Sequence, residues 1–185
     1  MWRDGLPRAT VVGVDIDPPP LDLGPRVHVL RADQTDAAAL KHACESLAPG
    51  GFDLIVDDAA HVGVFAARSL QALFTDHLKR GGHYVIEDWG TGYMSRWTDG
   101  ALPDPPVRTD ALDEHRPAVS ADTPRPVRLA SHDVGMVGLV KRLVDHVGCR
   151  QTLQRHGYPQ AQNQQPLPVE SIELRDGLAV LRKLS

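Results

Sequence analysis

Four short apolar runs recur along the first half of the chain, separated by turns and by helical patterns. Each run is almost continuously apolar, which is typical of strands that helices cover on both faces of a parallel sheet. Strands that alternate with helices at this rhythm form βαβ units, so the sequence predicts an α/β fold with a parallel sheet. The four predicted strands are residues 9–14, 26–30, 52–56 and 83–86.

Apolar residues at helical spacing mark three further segments. The first follows Thr35 or Asp36, either of which can cap its N-terminus. Near the end of the chain, the turn dipeptide Asp176-Gly177 separates two alternating runs, which predicts a C-terminal antiparallel hairpin. The predicted helices are residues 36–47, 62–78 and 133–147, and the predicted hairpin strands are residues 169–174 and 178–182.

Prolines break the pattern between Trp89 and Ser131. Proline has no backbone donor and excludes long helices and central strands, and a connection of this length is commonly a lid or a binding loop. We therefore expect residues 89–131 to form a long Pro-rich loop or lid. The chain length suits one domain with a real core, so the whole of residues 1–185 is predicted as a single domain.

Charge and composition narrow the possible partners. The formal net charge of −4 disfavours a nucleic-acid backbone or an anionic membrane as the main partner. No apolar stretch approaches the ~20 residues that span a bilayer, and the start of the chain does not resemble a signal peptide. Cys44 and Cys149 lie far apart in sequence, within or directly after predicted helices, which favours buried thiols over a disulfide. These features predict a cytoplasmic protein. They are compatible with a homo-oligomer as well as with a monomer.

Acidic residues directly follow two of the predicted strands. Asp57 and Asp58 come after the third strand, with His61 three residues further on, and Glu87 and Asp88 come after the fourth. In open α/β folds, ligands bind where the carboxyl ends of the strands meet. Carboxylate oxygens favour Mg²⁺, Ca²⁺ or Mn²⁺, and a neutral imidazole beside them can act as a general base. The alternative interpretation is a helix cap beside a solvated acidic strand end.

The first two strands end in polar residues of a different kind. Asp15 and Asp17 follow the first strand, at a place where an acidic residue commonly binds ribose hydroxyls. Asp33 and Gln34 follow the second strand, where they can receive an adenine amino group. An acidic turn and a helix entry explain the same residues without any ligand, so both interpretations stay open at this point.

Three aromatic residues follow the fourth strand within nine positions, namely Trp89, Tyr93 and Trp97. Only 5% of the chain is aromatic, so this concentration favours an apolar or sugar-stacking wall for a substrate. Ordinary packing beneath the long loop is an equally good explanation.

Taken in order, these motifs resemble class I S-adenosylmethionine-dependent methyltransferases. In particular they are similar to the metal-dependent sugar O-methyltransferases of macrolide and rhamnosyl-polyketide tailoring, the mycinamicin type. The most specific features are the Asp-Asp-x-x-His stretch and the Glu-Asp pair. The resemblance implies a Rossmann-like doubly wound sheet that ends in the antiparallel hairpin. It is carried by residues 12–17, 31–34, 52–61, 81–88 and 135–141.

The resemblance also implies a role for each candidate residue. Asp58, Glu87 and Asp88 would hold Mg²⁺, and His61 would be the catalytic base that activates a sugar hydroxyl. S-adenosylmethionine would be the methyl donor, and a small-molecule glycoside would be the acceptor. The implied cofactor-binding residues are Asp15, Asp17, Asp33, Gln34 and Asp57, and the implied substrate-binding residues are Trp89, Tyr93 and Trp97.

The chain departs from this family in a way that affects the fold. Family members have a first strand and a glycine-rich turn ahead of the segment that begins at Met1, and that strand lies in the centre of the sheet. We therefore expect an N-terminally truncated domain with a gap between the strand ending at Asp17 and the strand ending at Asp57. The rival function is a non-catalytic remnant that binds at most a divalent cation or a partner chain. A nicotinamide-dependent oxidoreductase would need a G-x-G-x-x-G turn, which this sequence lacks.

Overall fold

The structure of the protein, a computed structural model, describes residues 2–101, 134–156 and 167–185. The helices are α1 (Trp2–Gly5), α2 (Ala37–Leu47), α3 (Gly63–Leu73) and α4 (Gly135–His156), with a 3-10 helix at Trp89–Tyr93. The strands are β1 (Val11–Asp15), β2 (Val27–Arg31), β3 (Phe52–Asp57), β4 (Leu78–Glu87), β5 (Val169–Arg175) and β6 (Leu178–Lys183).

These strands form two separate sheets. β1 pairs in parallel with β2, and Val11 lies opposite Val27. β3 pairs in parallel with β4, and the larger sheet continues through antiparallel pairs in the order β3-β4-β6-β5. The predicted α/β fold with parallel strands and a C-terminal antiparallel hairpin is confirmed. Among the described residues no strand joins β1 to β3. This separation between the two sheets, called the division below, falls where the resemblance predicts a gap.

The buried core belongs to the larger sheet and to the helices that cover it. Tyr84 of β4 and Leu181 of β6 are wholly buried there, against side chains of α3 and α4. No side chain of β1 or β2 is buried, and Val14 and Val29 are 37% and 39% exposed. Because burial of apolar surface is the main driving force of folding, the smaller sheet contributes little to it. α2, which follows β2 in the chain, packs on α3 of the larger part.

Of the two residues that the sequence offers as a cap for α2, Thr35 and Asp36, the structure uses Asp36. One of its carboxylate oxygens accepts hydrogen bonds from the backbone N–H groups of Ala38 and Ala39, at 3.1 and 3.0 Å. These bonds satisfy two of the amides that have no partner inside the helix at its start. Leu40 and Cys44, one turn apart, are buried on the inner side of α2.

α3 ends earlier than the apolar spacing predicts. The helix stops at Leu73, and Leu78, the last residue of the predicted helix, begins β4. The ammonium group of Lys183 donates to the carbonyl oxygens of Thr75 and Leu78, at 2.5 and 2.6 Å. From the sequence alone Lys183 reads as a solvated charge, and that interpretation is wrong. The side chain is buried against the turn that follows α3, and burial lowers its pKa.

β4 begins at Leu78, before the predicted strand over residues 83–86. Its register against β3 shifts between Phe52, which lies opposite Leu78, and Leu54, which lies opposite His83. The intervening residues form an irregularity within the strand. Gly81 has a φ of 71° there, a conformation that favours glycine.

The region after β4 is more regular than the sequence predicts. A 3-10 helix occupies Trp89–Tyr93, where we expected an irregular loop, and α4 continues to His156 instead of ending near residue 147. Residues 102–131, most of the predicted loop or lid, lie outside the described residues. The predicted turn between β5 and β6 is confirmed, with Gly177 at a φ of 72°. In the described ranges, no helix has the length and apolar character needed to cross a membrane.

Candidate functional site

Three of the predicted site residues converge beyond the ends of β3 and β4. A carboxylate oxygen of Asp58, a carboxylate oxygen of Asp88 and a ring nitrogen of His61 all lie within 4.8 Å of one another. The Nε2 atom of His61 is 3.7 Å from Asp58 and 3.9 Å from Asp88. The parallel register explains the convergence, because Asp57 lies opposite Ile86 and both strands end at the same edge of the sheet.

Two members of this cluster have a left-handed backbone conformation. His61 and Asp88 each have a φ of 50°, and no other non-glycine residue of the described part of the chain has a positive φ. Such conformations cost free energy and concentrate at functional sites, where surrounding contacts hold them in place. The fold therefore holds both residues in a backbone conformation that non-glycine residues rarely adopt, and it brings their side chains together.

Glu87 ends β4 beside the cluster without being one of its three members. Burial raises the pKa of its carboxyl, the negative charges of Asp58 and Asp88 raise it further, and His61 lowers it. Neighbouring carboxylates that disfavour one another's charge are stabilised by a divalent cation. Oxygen donors with one imidazole suit Mg²⁺ or Mn²⁺, so the residues present fit the metal that the resemblance implies.

We expect the metal-free protein to lose stability as the pH rises through the folded-state pKa of Glu87. Because this pKa lies above its unfolded value, the folded state binds more protons than the unfolded state in that window, and stability falls with rising pH. Glu87→Gln carries no charge and should lack this slope. Urea midpoints of both proteins, measured in chelator from about pH 4 to about pH 7, provide the test. Parallel curves for the two proteins would contradict the expectation.

The ring of His61 is largely enclosed, with 12% of its side chain exposed. Trp97 packs against it edge to face, with the ring centroids 5.4 Å apart and an interplanar angle of 87°. Trp89 packs against the core and lies 6.1 Å from the ring of Tyr93. Of the three aromatic residues predicted to form a wall, Trp97 contacts the cluster through the ring of His61.

Asp57, a predicted cofactor residue, is engaged by protein side chains. Its Oδ2 atom accepts hydrogen bonds from the hydroxyl groups of Ser69 and Tyr84, at 2.6 and 3.1 Å. Its Oδ1 atom accepts from the side-chain amide of Gln34 at 3.4 Å. Burial raises the pKa of Tyr84 well above its ordinary value, so its hydroxyl stays protonated and remains a donor. These bonds fix the end of β3 directly before the cluster.

The other predicted cofactor residues lie at the ends of the smaller sheet. Asp15 accepts a hydrogen bond from the backbone N–H of Asp17 at 2.7 Å, and both residues are exposed. Asp33 accepts two hydrogen bonds from the residue two positions further on, which lower the pKa of its carboxyl. Gln34 reaches across the division, where its carbonyl oxygen accepts from the backbone N–H of Ala60 at 3.0 Å. The structure thus uses Gln34 to join the two halves, and its role toward a cofactor stays a prediction.

Asp99 is a buried residue that no sequence motif predicts as part of the site. This residue is 3% exposed, and its Oδ2 atom accepts hydrogen bonds from the backbone N–H groups of Gly63 and Met136, both at 2.7 Å. It ties the start of α3 to the start of α4. No local spacing signals such an interaction, because the partners lie 36 and 37 positions away along the chain.

The chain has sequence relatives among characterised enzymes, although no family model matches it. It is 37% identical over 93 residues to the 8-demethyl-8-alpha-L-rhamnosyl tetracenomycin-C 2'-O-methyltransferase of Streptomyces olivaceus. The matched region covers 50% of this chain and 24% of that protein. It is 37% identical over 94 residues to the mycinamicin VI 2''-O-methyltransferase of Micromonospora griseorubida, covering 50% of this chain and 23% of that enzyme. The match thus spans about a quarter of the length of these relatives.

A solved structure is similar to nearly the whole chain. The MycE methyltransferase from the mycinamycin biosynthetic pathway, in complex with Mg and SAH, matches with a TM-score of 0.67 and 24% identity, over 99% of this chain and 39% of that chain. Its complex with Mg, SAH and mycinamycin VI gives a TM-score of 0.65, with 38% of that chain covered. Over the matched segment this chain is thus similar in sequence to named sugar O-methyltransferases, and its fold is the methyltransferase fold of MycE.

Proposed function

We propose that this chain belongs to an S-adenosylmethionine-dependent O-methyltransferase that acts on a sugar hydroxyl of a natural product. The observation that carries the proposal is the convergence of Asp58, His61 and Asp88 at one edge of the sheet. The fold is shared with an enzyme solved with Mg and SAH. Relatives are named for rhamnosyl tetracenomycin and L-olivosyl-oleandolide acceptors, which supports a small-molecule glycoside as the substrate class.

In the proposed site, the general base lies beside the carboxylates that would bind the cation. Asp58, Glu87 and Asp88 would hold Mg²⁺, which would act as a Lewis acid and favour deprotonation of the reacting sugar hydroxyl. His61 takes the proton of that hydroxyl as a general base, from a ring that the fold holds beside the carboxylates. Trp97 covers the ring and limits its access to water.

The methyl donor would lie across the division of the sheet. Asp15 or Asp17 binds its ribose hydroxyls, and Asp33 and Gln34 receive its adenine. Alignment of the acceptor oxygen with the sulfonium methyl group supplies most of the rate enhancement in such a transfer. The net charge of −4 and the widely separated cysteines support a cytoplasmic enzyme without nucleic-acid or membrane partners.

The divided sheet favours one alternative, a protein that binds a divalent cation without transferring methyl groups. The predicted nucleoside residues lie at the ends of the strands of a two-stranded sheet that has no buried side chain. Gln34 links that sheet to the end of β3 through a hydrogen bond of 3.4 Å. The alternative therefore predicts cation binding without cofactor binding.

Calorimetric titration of S-adenosylmethionine, with Mg²⁺ and with chelator, tests the proposal. The chain is compared with a version extended upstream in the same reading frame and with an Asp15→Asn/Asp17→Asn variant of the version that binds. We expect binding with a 1:1 stoichiometry, and we expect the double variant to weaken it at least about tenfold because the carboxylate that binds the ribose is lost, whichever of the two residues supplies it. A separate Mn²⁺ titration reports the cation site.

The outcomes separate the two functions. Cofactor binding by both versions supports a competent methyltransferase core, and radiolabelled methyl transfer to rhamnosyl and macrolide glycosides then identifies the acceptor. Binding by the extended version alone supports the family assignment and shows that the 185-residue chain is a piece of the enzyme. Mn²⁺ binding without cofactor binding in either version would establish the alternative.

A further inference from the structure

Two short segments lie side by side next to the cation cluster, residues 61–63 and residues 97–99. At one end, the ring of His61 contacts the ring of Trp97, with centroids 5.4 Å apart. At the other end, the backbone N–H of Gly63 donates to Asp99 at 2.7 Å. The two contacts are two residues apart on both segments, so they fix the orientation of one segment against the other.

Asp99 anchors this arrangement in the protein interior. Its Oδ2 atom also accepts from the backbone N–H of Met136 at 2.7 Å, so the starts of α3 and α4 converge on a single carboxylate oxygen. The positive ends of both helix dipoles stabilise the negative charge placed there. α3 has no side-chain cap of its own, because the residue before it is Val62.

The backbones around Asp99 are packed too closely for independent movement. A Cβ atom on Gly135 would lie 2.4 Å from the carboxyl carbon of Asp99. A Cβ atom on Gly63 would lie 2.2 Å from the carbonyl carbon of Gly135. Any displacement of the carboxylate must therefore shift the start of α3, and His61 lies only two residues ahead of that start.

We propose that Asp99 is a positioning residue for His61. By fixing residues 97–99 to the starts of both helices, it holds the imidazole against Trp97 and beside Asp58 and Asp88. The left-handed backbone of His61 agrees with this role, since a costly conformation persists only where surrounding contacts enforce it. The inference rests on the proposed function where it treats His61 as the base, yet the position of the ring can be tested without turnover.

Modification by diethyl pyrocarbonate, resolved at each histidine by peptide mass spectrometry, measures how well each ring is shielded. His61 should react slowly in the wild-type protein, because 12% of its side chain is exposed. Asp99→Ala leaves the buried N–H groups of Gly63 and Met136 without this acceptor. We expect the rate at His61 to rise about tenfold as the segment opens more often.

Two internal references make the test specific. Asp99→Asn is the matched variant, because one amide oxygen can accept both N–H groups, and His61 should stay within about threefold of its wild-type rate. His77, 8% exposed in the turn after α3, reports general loosening of the fold.

A rise confined to His61 in Asp99→Ala supports the proposal. An unchanged rate at His61, or an equal rise at His77, overturns it. If the rise is selective while the cofactor and Mn²⁺ titrations fail, the positional inference holds and the proposed function falls.

Discussion

Gly63→Ala should lower the free energy of unfolding by about 3 to 5 kcal/mol. The new Cβ atom would lie 2.2 Å from the carbonyl carbon of Gly135 and 2.6 Å from the backbone nitrogen of Met136. These are backbone atoms, which cannot rotate away, so the starts of α3 and α4 would have to separate. Separation would break the hydrogen bonds that both helices donate to Asp99. Native domains are stable by only about 5 to 15 kcal/mol, so this loss would remove a large part of the free energy of unfolding.

Gly148→Ala provides the matched control. This glycine lies in α4, and a Cβ atom there would meet nothing within 4 Å. Alanine should stabilise an exposed helical position by about 0.5 to 1 kcal/mol relative to glycine. Urea unfolding followed by circular dichroism should therefore move in opposite directions for the two substitutions. A Gly63→Ala midpoint close to that of the wild type would show that the two helices can separate at little cost.

His61→Ala should reduce methyl transfer by a factor of about 10² to 10⁴ in whichever version of the chain transfers methyl groups, because the general base is removed. Binding of S-adenosylmethionine should remain within about threefold of the wild-type value, since the predicted nucleoside residues lie on the other sheet. Single-turnover rates and calorimetry measure the two quantities separately. Retained turnover would exclude His61 as the base.

His61→Asn separates the loss of the imidazole from strain in the backbone. Asparagine tolerates the left-handed conformation that position 61 adopts, whereas alanine adopts it at a cost of about 1 kcal/mol. Both variants should lose turnover to the same extent, and His61→Ala should be the less stable of the two. Turnover restored by asparagine would mean that the backbone conformation, and not the ring, matters for transfer. A large loss of Mn²⁺ affinity in both variants would instead indicate that the imidazole is a metal ligand.

Local chemistry allowed much of the fold to be predicted. The cap at Asp36 and the Asp176-Gly177 turn depend on residues within a few positions, so sequence spacing was sufficient to find them. The convergence of Asp58 with Asp88 followed from one general rule, that parallel strands end at the same edge of a sheet.

Long-range contacts could not be predicted in the same way. α3 ends at Leu73, and the carbonyl groups beyond it are taken by Lys183, more than a hundred residues away in sequence. Asp99 lies in a segment that reads as an irregular loop, and its importance appears only when the starts of α3 and α4 are brought together. Periodicity reports which face of an element is apolar, but it does not report which distant side chain satisfies a helix end.

The division of the sheet has an evolutionary consequence. The cation cluster follows strands of the larger sheet, and the predicted ribose and adenine residues follow strands of the smaller one. No hydrogen-bonded ladder of described residues runs from one set to the other. Gln34 connects the two sheets through Asp57 and Ala60, so substitutions that weaken the smaller sheet but preserve these bonds should leave the geometry of the cation cluster largely intact. Selection can therefore act on the two sheets separately, because the position of each set of predicted residues depends mainly on its own strands.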